Sequence, residues 1–115
     1  MFNYTRLDEA QLRFMKVTKI ENLPVGERLF LEIGNLSIVI FNLAGRYYAI
    51  ADVCSHDDGP VGDGDIEGDQ VICPRHGARF DLRSGKAMQL PAVVDIAAYP
   101  VRVIDDSIEV GIPIK

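Results

Sequence analysis

Four residues in this chain have side chains that suit a soft or borderline transition metal, and they fall into two close pairs. Cys54 and His56 lie in VCSHDDGPVG (53–62), and Cys73 and His76 lie in VICPRHGARF (71–80). The 115 residues contain no other cysteine or histidine. Thiolate and imidazole are the ligands of zinc and iron–sulfur sites. Each pair sits among glycines and prolines, in segments that favour turns, so a hairpin-like return between them brings the two pairs face to face.

Four readings compete. In one, Cys54 and Cys73 are small core residues and the histidines are incidental; falling into two tight, turn-flanked pairs counts against it. In another, the cysteines form a disulfide, which leaves both histidines unused and suits a reducing compartment poorly. Two Cys and two His also satisfy tetrahedral zinc, but zinc fingers set two cysteines in one knuckle and two histidines on a helix, and no helical pattern follows here. The fourth is a [2Fe–2S] cluster, with thiolates on one iron and imidazoles on the other. One Cys and one His per loop then let the two loops hold the cluster between them, and this reading uses all four residues.

The surroundings read as an all-β scaffold. Strands are expected at LRFMKVTKI (12–20), at 28–33 after a Pro-Gly turn, at LSIVIFNL (36–43) and, past an Ala44-Gly45 turn, at 46–51. Beyond the paired residues, strands are expected near 96–104 and 107–111, joined by a turn at Asp105-Asp106. LDEAQL (7–12) offers one helical turn at most. No stretch of ten residues keeps a helical period, so the expected fold class is an antiparallel sandwich or barrel. Between these halves, residues 52–90 hold most of the turn glycines and only short apolar pieces (VIC, ARFDL, KAMQL). We read a single domain, 1–115, carrying a small inserted subdomain at about 52–90.

Composition narrows the partners. The net charge of −5 disfavours nucleic acid and anionic lipid. The longest apolar run, 37–43, is far too short to span a bilayer. The amino-terminal residues lack the apolar core of an export signal, so a reducing, cytoplasmic setting is expected. Between the two pairs lie Asp57, Asp58, Asp63, Asp65, Glu67 and Asp69, with no Lys or Arg in 57–70. Such a run is most simply a solvated face; the alternative is a docking surface for a basic partner. Arg75 and Arg79 are expected to pair with some of these acids.

Cys54-Ser55-His56 with Cys73-Pro74-Arg75-His76-Gly77 resembles the Rieske motif, C-x-H and C-x-x-H, here separated by 16 residues. The likeness extends through RYYAIADVCSHDDGPVGDGDIEGDQVICPRHGARFDLRSGKA and into LPVGERLFLEI and YPVRVIDDSIEV, from about residue 14 to 112. The resemblance implies a [2Fe–2S] cluster with Cys54 and Cys73 on an inner iron that stays ferric, and His56 and His76 on an outer, reducible iron near the surface. It implies an electron carrier rather than an enzyme.

Departures from the motif define the type. High-potential Rieske proteins carry an extra cysteine in each loop, joined in a disulfide; the corresponding positions here are read as Asp58 and Arg75. Those proteins also place Ser and Tyr after the second histidine, where hydroxyls donate toward sulfur; here Ala78 and Phe80 stand there. Fewer donors and more nearby acids disfavour added negative charge, so a low potential is expected, about −150 mV. A short chain with no oxygenase iron motif is similar to the free-standing Rieske ferredoxins. That likeness implies a protein moving single electrons from a flavin-dependent NAD(P)H reductase to a terminal, aromatic-ring oxygenase; a monomer is the default expectation for a carrier. The alternatives are a small subunit of another reductase, such as nitrite reductase, and a zinc-stabilised interaction module.

Overall fold

A computed structural model describes residues 3–55, 57–92 and 94–114. Its strands, in chain order, are β1 (Leu12–Lys19), β2 (Arg28–Ile33), β3 (Leu36–Leu43), β4 (Arg46–Ala51), β5 (Ile66–Glu67), β6 (Gln70–Ile72), β7 (Arg79–Asp81), β8 (Ala87–Gln89), β9 (Ala98–Tyr99), β10 (Val101–Ile104) and β11 (Ser107–Pro113). They form three sheets with orders β1-β11-β10, β2-β3-β4-β9 and β5-β6-β7-β8. Every strand pair is antiparallel. A lone parallel bridge ties Asn3 to Ala98.

The run LSIVIF explains how the sheets stack. Successive strand residues point to opposite faces, and both faces of β3 are buried. Ile38 and Ile40 face one apolar cluster with Ala49, Tyr99, Ile108 and Val110, which joins the four-stranded scaffold sheet to β11. Val39 and Phe41 face a second cluster with Ile50, Val71, Phe80 and Leu82, which joins the same sheet to the small β5–β8 sheet. A strand covered on both sides needs no polar alternation, which is why its sequence reads as continuous apolar residues. Each large side chain buried in these clusters contributes roughly 1.5–3 kcal/mol.

The expected strands at 28–33, 36–43 and 46–51 occur at those bounds. Ala44 and Gly45 both take positive φ, 55° and 90°, the backbone twist that suits a two-residue hairpin turn. The buried Asn42 fixes that corner: its Nδ2 donates to the Leu23 carbonyl at 2.8 Å, and its Oδ1 accepts from Gly45 N–H at 2.9 Å. The expected strand over 96–104 is two strands, not one. Pro100 has no N–H to continue a ladder; β9 ends before it in the scaffold sheet, and β10 begins after it in the β1–β11 sheet. The LDEAQL turn is a 3₁₀ turn at Glu9–Gln11. Among the described residues, no helix is long and apolar enough to cross a membrane.

Tyr99 shows how tightly the scaffold closes. It is 4% exposed, with its ring centroid 5.4 Å from that of Tyr4. Burial, reinforced by the neighbouring Tyr4, pushes its phenol up to about 12 from an ordinary 10. Because the folded value is the higher one, this contribution to stability is complete below pH 10 and is lost as pH rises through 12. Chemical denaturation at pH 9 and pH 11.5 should show a loss on the order of 2 kcal/mol that Tyr99→Phe reduces. An equal loss in the variant would exclude Tyr99 as its source.

Candidate metal centre

Two loops of similar internal design meet at one edge of the small sheet. The first runs from Asp52 to Asp65, between β4 and β5; the second, Cys73 to Ala78, is the connection of the β6–β7 hairpin. In the first, Cys54 N–H donates to the Gly59 carbonyl and Asp58 N–H to the Cys54 carbonyl, both at 2.7 Å. In the second, Cys73 N–H donates to the Ala78 carbonyl at 2.7 Å and Gly77 N–H to the Cys73 carbonyl at 3.1 Å. The residue four past each cysteine has left-handed backbone: Asp58 at φ 61° and Gly77 at φ 76°. Gly77 takes this conformation without strain, and Asp is among the residues that tolerate it.

The first loop is held from below by residues the sequence reading missed. Asp52 Oδ1 accepts from Val61 N–H at 3.0 Å and from Gly62 N–H at 2.7 Å. Arg28 Nη1 donates to the carbonyls of Gly62 at 2.5 Å and Gly64 at 2.7 Å. Gly64 lies against the second loop's approach, where a Cβ would stand 1.8 Å from the Ile72 carbonyl oxygen. Asp52, two residues before Cys54, was a visible candidate to cap a turn; Arg28 gave no local signal.

These supports bury Cys54 and Cys73, 0% and 1% exposed, within the same apolar cluster as Ala78, Phe80 and Ala92. Neither cysteine is in a disulfide. The two Sγ atoms and a carboxylate oxygen of Asp57 lie within 4.8 Å of one another. His76 is exposed at the rim of the second loop; His56 lies outside the described residues. Ala78 and Phe80 are fully buried, and neither side chain has a hydrogen to donate toward sulfur.

Three of the six acids between the two pairs are matched by arginines. Arg75 Nε and Nη2 donate to Asp57 Oδ2 and Oδ1 at 2.6 and 2.9 Å, and Nη1 donates to the Pro60 carbonyl at 2.8 Å. The Arg75 hydrogen bonds, helped by Gly59 N–H, hold the Asp57 carboxyl well below the usual carboxylate range, and Asp57 in turn raises the Arg75 guanidinium. Arg79 pairs with Glu67 at 2.9 Å and Arg83 with Asp69 at 3.0 Å. Arg75 and Arg79 thus pair with the acid run as expected. The residue against Arg75, however, is Gly59 and not its neighbour Asp58: a Cβ on Gly59 would lie 2.8 Å from the guanidinium carbon.

Residues 13–100 match the family model of the Rieske [2Fe-2S] domain. The chain belongs to the Rieske [2Fe-2S] domain family. A curated Rieske relative, the 3-phenylpropionate/cinnamic acid dioxygenase ferredoxin subunit of Escherichia coli (strain K12), is 38% identical over 95 residues. That alignment covers 82% of this chain and 89% of the relative. The ferredoxin of carbazole 1,9a-dioxygenase from Nocardioides aromaticivorans IC177 superposes with TM-score 0.78 at 27% identity, covering 84% of this chain and 95% of that one. A putative NADH-dependent nitrite reductase small subunit from Mycobacterium tuberculosis has TM-score 0.78 at 20% identity, covering 90% and 98%, and so shares the fold.

A Rieske domain carries a Rieske-type [2Fe-2S] cluster, and the donor set here fits one. Two buried thiols converge under an apolar cover, while the histidine of the second loop stands at the surface. Gly64→Ala should separate the loops that make this arrangement, because its Cβ meets backbone rather than a movable side chain. The expected cost is roughly 1–3 kcal/mol in urea denaturation, with less iron retained per chain. A variant with unchanged midpoint and iron content would show that the contact at Gly64 is relieved elsewhere.

Proposed function

We propose that this protein is a one-electron carrier in which Cys54 and Cys73 hold the inner iron of the cluster, and His56 and His76 hold the outer iron. The observation that carries the assignment is the convergence of the two buried sulfurs at the loops that bear the histidines. The bound cluster supplies a one-electron couple. The chain supplies a dry pocket around sulfur, through Ala78, Phe80 and Ala92, and an outward edge at His76 from which electrons pass. No substrate bond is made or broken here. The electron donor is a flavin-dependent NAD(P)H reductase and the acceptor a terminal, aromatic-ring oxygenase, in keeping with the dioxygenase ferredoxins among its relatives. The carrier works as a cytoplasmic monomer, one domain over 1–115 with its cluster-binding subdomain at about 52–90.

The pocket favours a low potential. Ala78 and Phe80 offer no hydroxyl to sulfur, and reduction adds negative charge that only donors or cations can stabilise. Redox titration of the iron-loaded protein should give a midpoint of about −150 mV, with a rhombic EPR signal on reduction; a midpoint above about +100 mV would exclude the low-potential assignment. Cys54→Ser, Cys73→Ser and His76→Ala should each abolish that signal. A colourless wild-type protein containing zinc would defeat the electron-carrier reading altogether.

The rim supports docking through apolar contact. Leu90 is 71% and Val94 51% exposed, on a connection that touches the first loop through a Ser55 Oγ hydrogen bond to the Val94 carbonyl. Arg75, Arg79 and Arg83 already engage three of the nearby acids. Leu90→Asp should therefore slow electron delivery to the oxygenase by roughly tenfold, with an unchanged visible spectrum. A wild-type association rate that falls steeply with salt, alongside an unaffected Leu90→Asp, would instead favour charge-led docking.

A further inference from the structure

Arg75 reaches from the second loop to the first with all three of its nitrogens engaged: two on Asp57 and one on the Pro60 carbonyl. Its guanidinium lies over Gly59, where the absence of a side chain leaves the space it occupies. An exposed ion pair usually contributes little. This one differs in two ways. It is bidentate, and it joins segments 18 residues apart. It also neutralises a carboxylate whose oxygen lies within 4.8 Å of both cysteine sulfurs.

We propose that Arg75, Asp57 and Gly59 act as a unit, with Arg75 as a positioning residue. It cross-links the two cluster loops without a covalent bond, and it offsets the Asp57 charge beside Cys54 and Cys73. This rests on the reading that those cysteines hold the cluster. Two consequences separate the unit from a passive surface pair. Without Arg75 the loops part more readily and iron is lost faster. Asp57 is also left as an uncompensated anion near sulfur, which disfavours reduction; removing Asp57 instead leaves an uncompensated cation, which favours it. Gly59 is part of the unit because any Cβ there displaces the guanidinium.

The test uses the iron-loaded protein and its Arg75→Gln, Arg75→Lys, Asp57→Ala, Gly59→Ala and Arg75→Gln/Asp57→Ala variants. Iron loss to excess chelator should be roughly fivefold faster in Arg75→Gln and Gly59→Ala, and no faster still in the double variant. Arg75→Lys keeps the charge without the fork and should fall between. The midpoint potential should drop in Arg75→Gln, rise in Asp57→Ala and return toward wild type in the double variant. Wild-type iron retention in both Arg75→Gln and Gly59→Ala, or potentials that do not move with opposite signs, would overturn the proposal. In metal-free protein, disulfide-reagent labelling of Cys54 and Cys73 should be faster in Gly59→Ala and Arg75→Lys than in wild type; equal rates would also overturn it. That arm needs no cluster, so a wild-type protein that binds no iron would sink the ligand assignment while the cross-link is still judged.

Discussion

The structure turns on placing two thiols, nineteen residues apart in sequence, within 4.8 Å of one another and out of water. Burying such groups leaves few ways to arrange the chain around them. The β6–β7 hairpin presents Cys73 at its mouth, with Val71 opposite Phe80 and Ile72 opposite Arg79. The first loop lacks a hairpin of its own and is pinned instead by Asp52, Arg28 and the close approach at Gly64. One loop is positioned by strand pairing and the other by side chains reaching from the scaffold, yet both converge on the same backbone hydrogen-bond pattern.

The apolar cover serves stability and electron chemistry at once. Cys54, Cys73, Ala78, Phe80 and Ala92 share a cluster with Val39, Phe41 and Ile50 of the scaffold sheet. The inserted sheet therefore has no separate core. Polar chemistry is kept to the rim, where His76 and the arginine-paired acids meet solvent. This layering leaves the two sulfurs away from water and the His76 imidazole in contact with it.

Much of this was legible in the residues themselves. Val, Ile and Phe between 36 and 43, followed by Ala44-Gly45, specify a buried strand and a tight turn through local preferences alone. The Cys-His pairs were legible because their residue types are rare and their spacing is narrow. What escaped was long-range or short by nature. Two-residue β5 carries too little pattern to be seen, and Arg28 acts on carbonyls 34 and 36 residues away. The single strand expected near 96–104 took no account of Pro100, where the chain changes sheets. That Gly59 lies under the Arg75 guanidinium is a contact between the two loops that residue counting does not register.

The ends of the site-bearing stretch meet at one hydrogen bond, from Ala51 N–H to the Ala97 carbonyl at 2.9 Å, where β4 begins its pairing with β9. Kinetically, that pairing closes a loop of some 46 residues, an ordering cost that grows with the logarithm of the span. Because the inserted sheet shares its core with the scaffold, closing that span and packing the two loops rely on the same buried contacts.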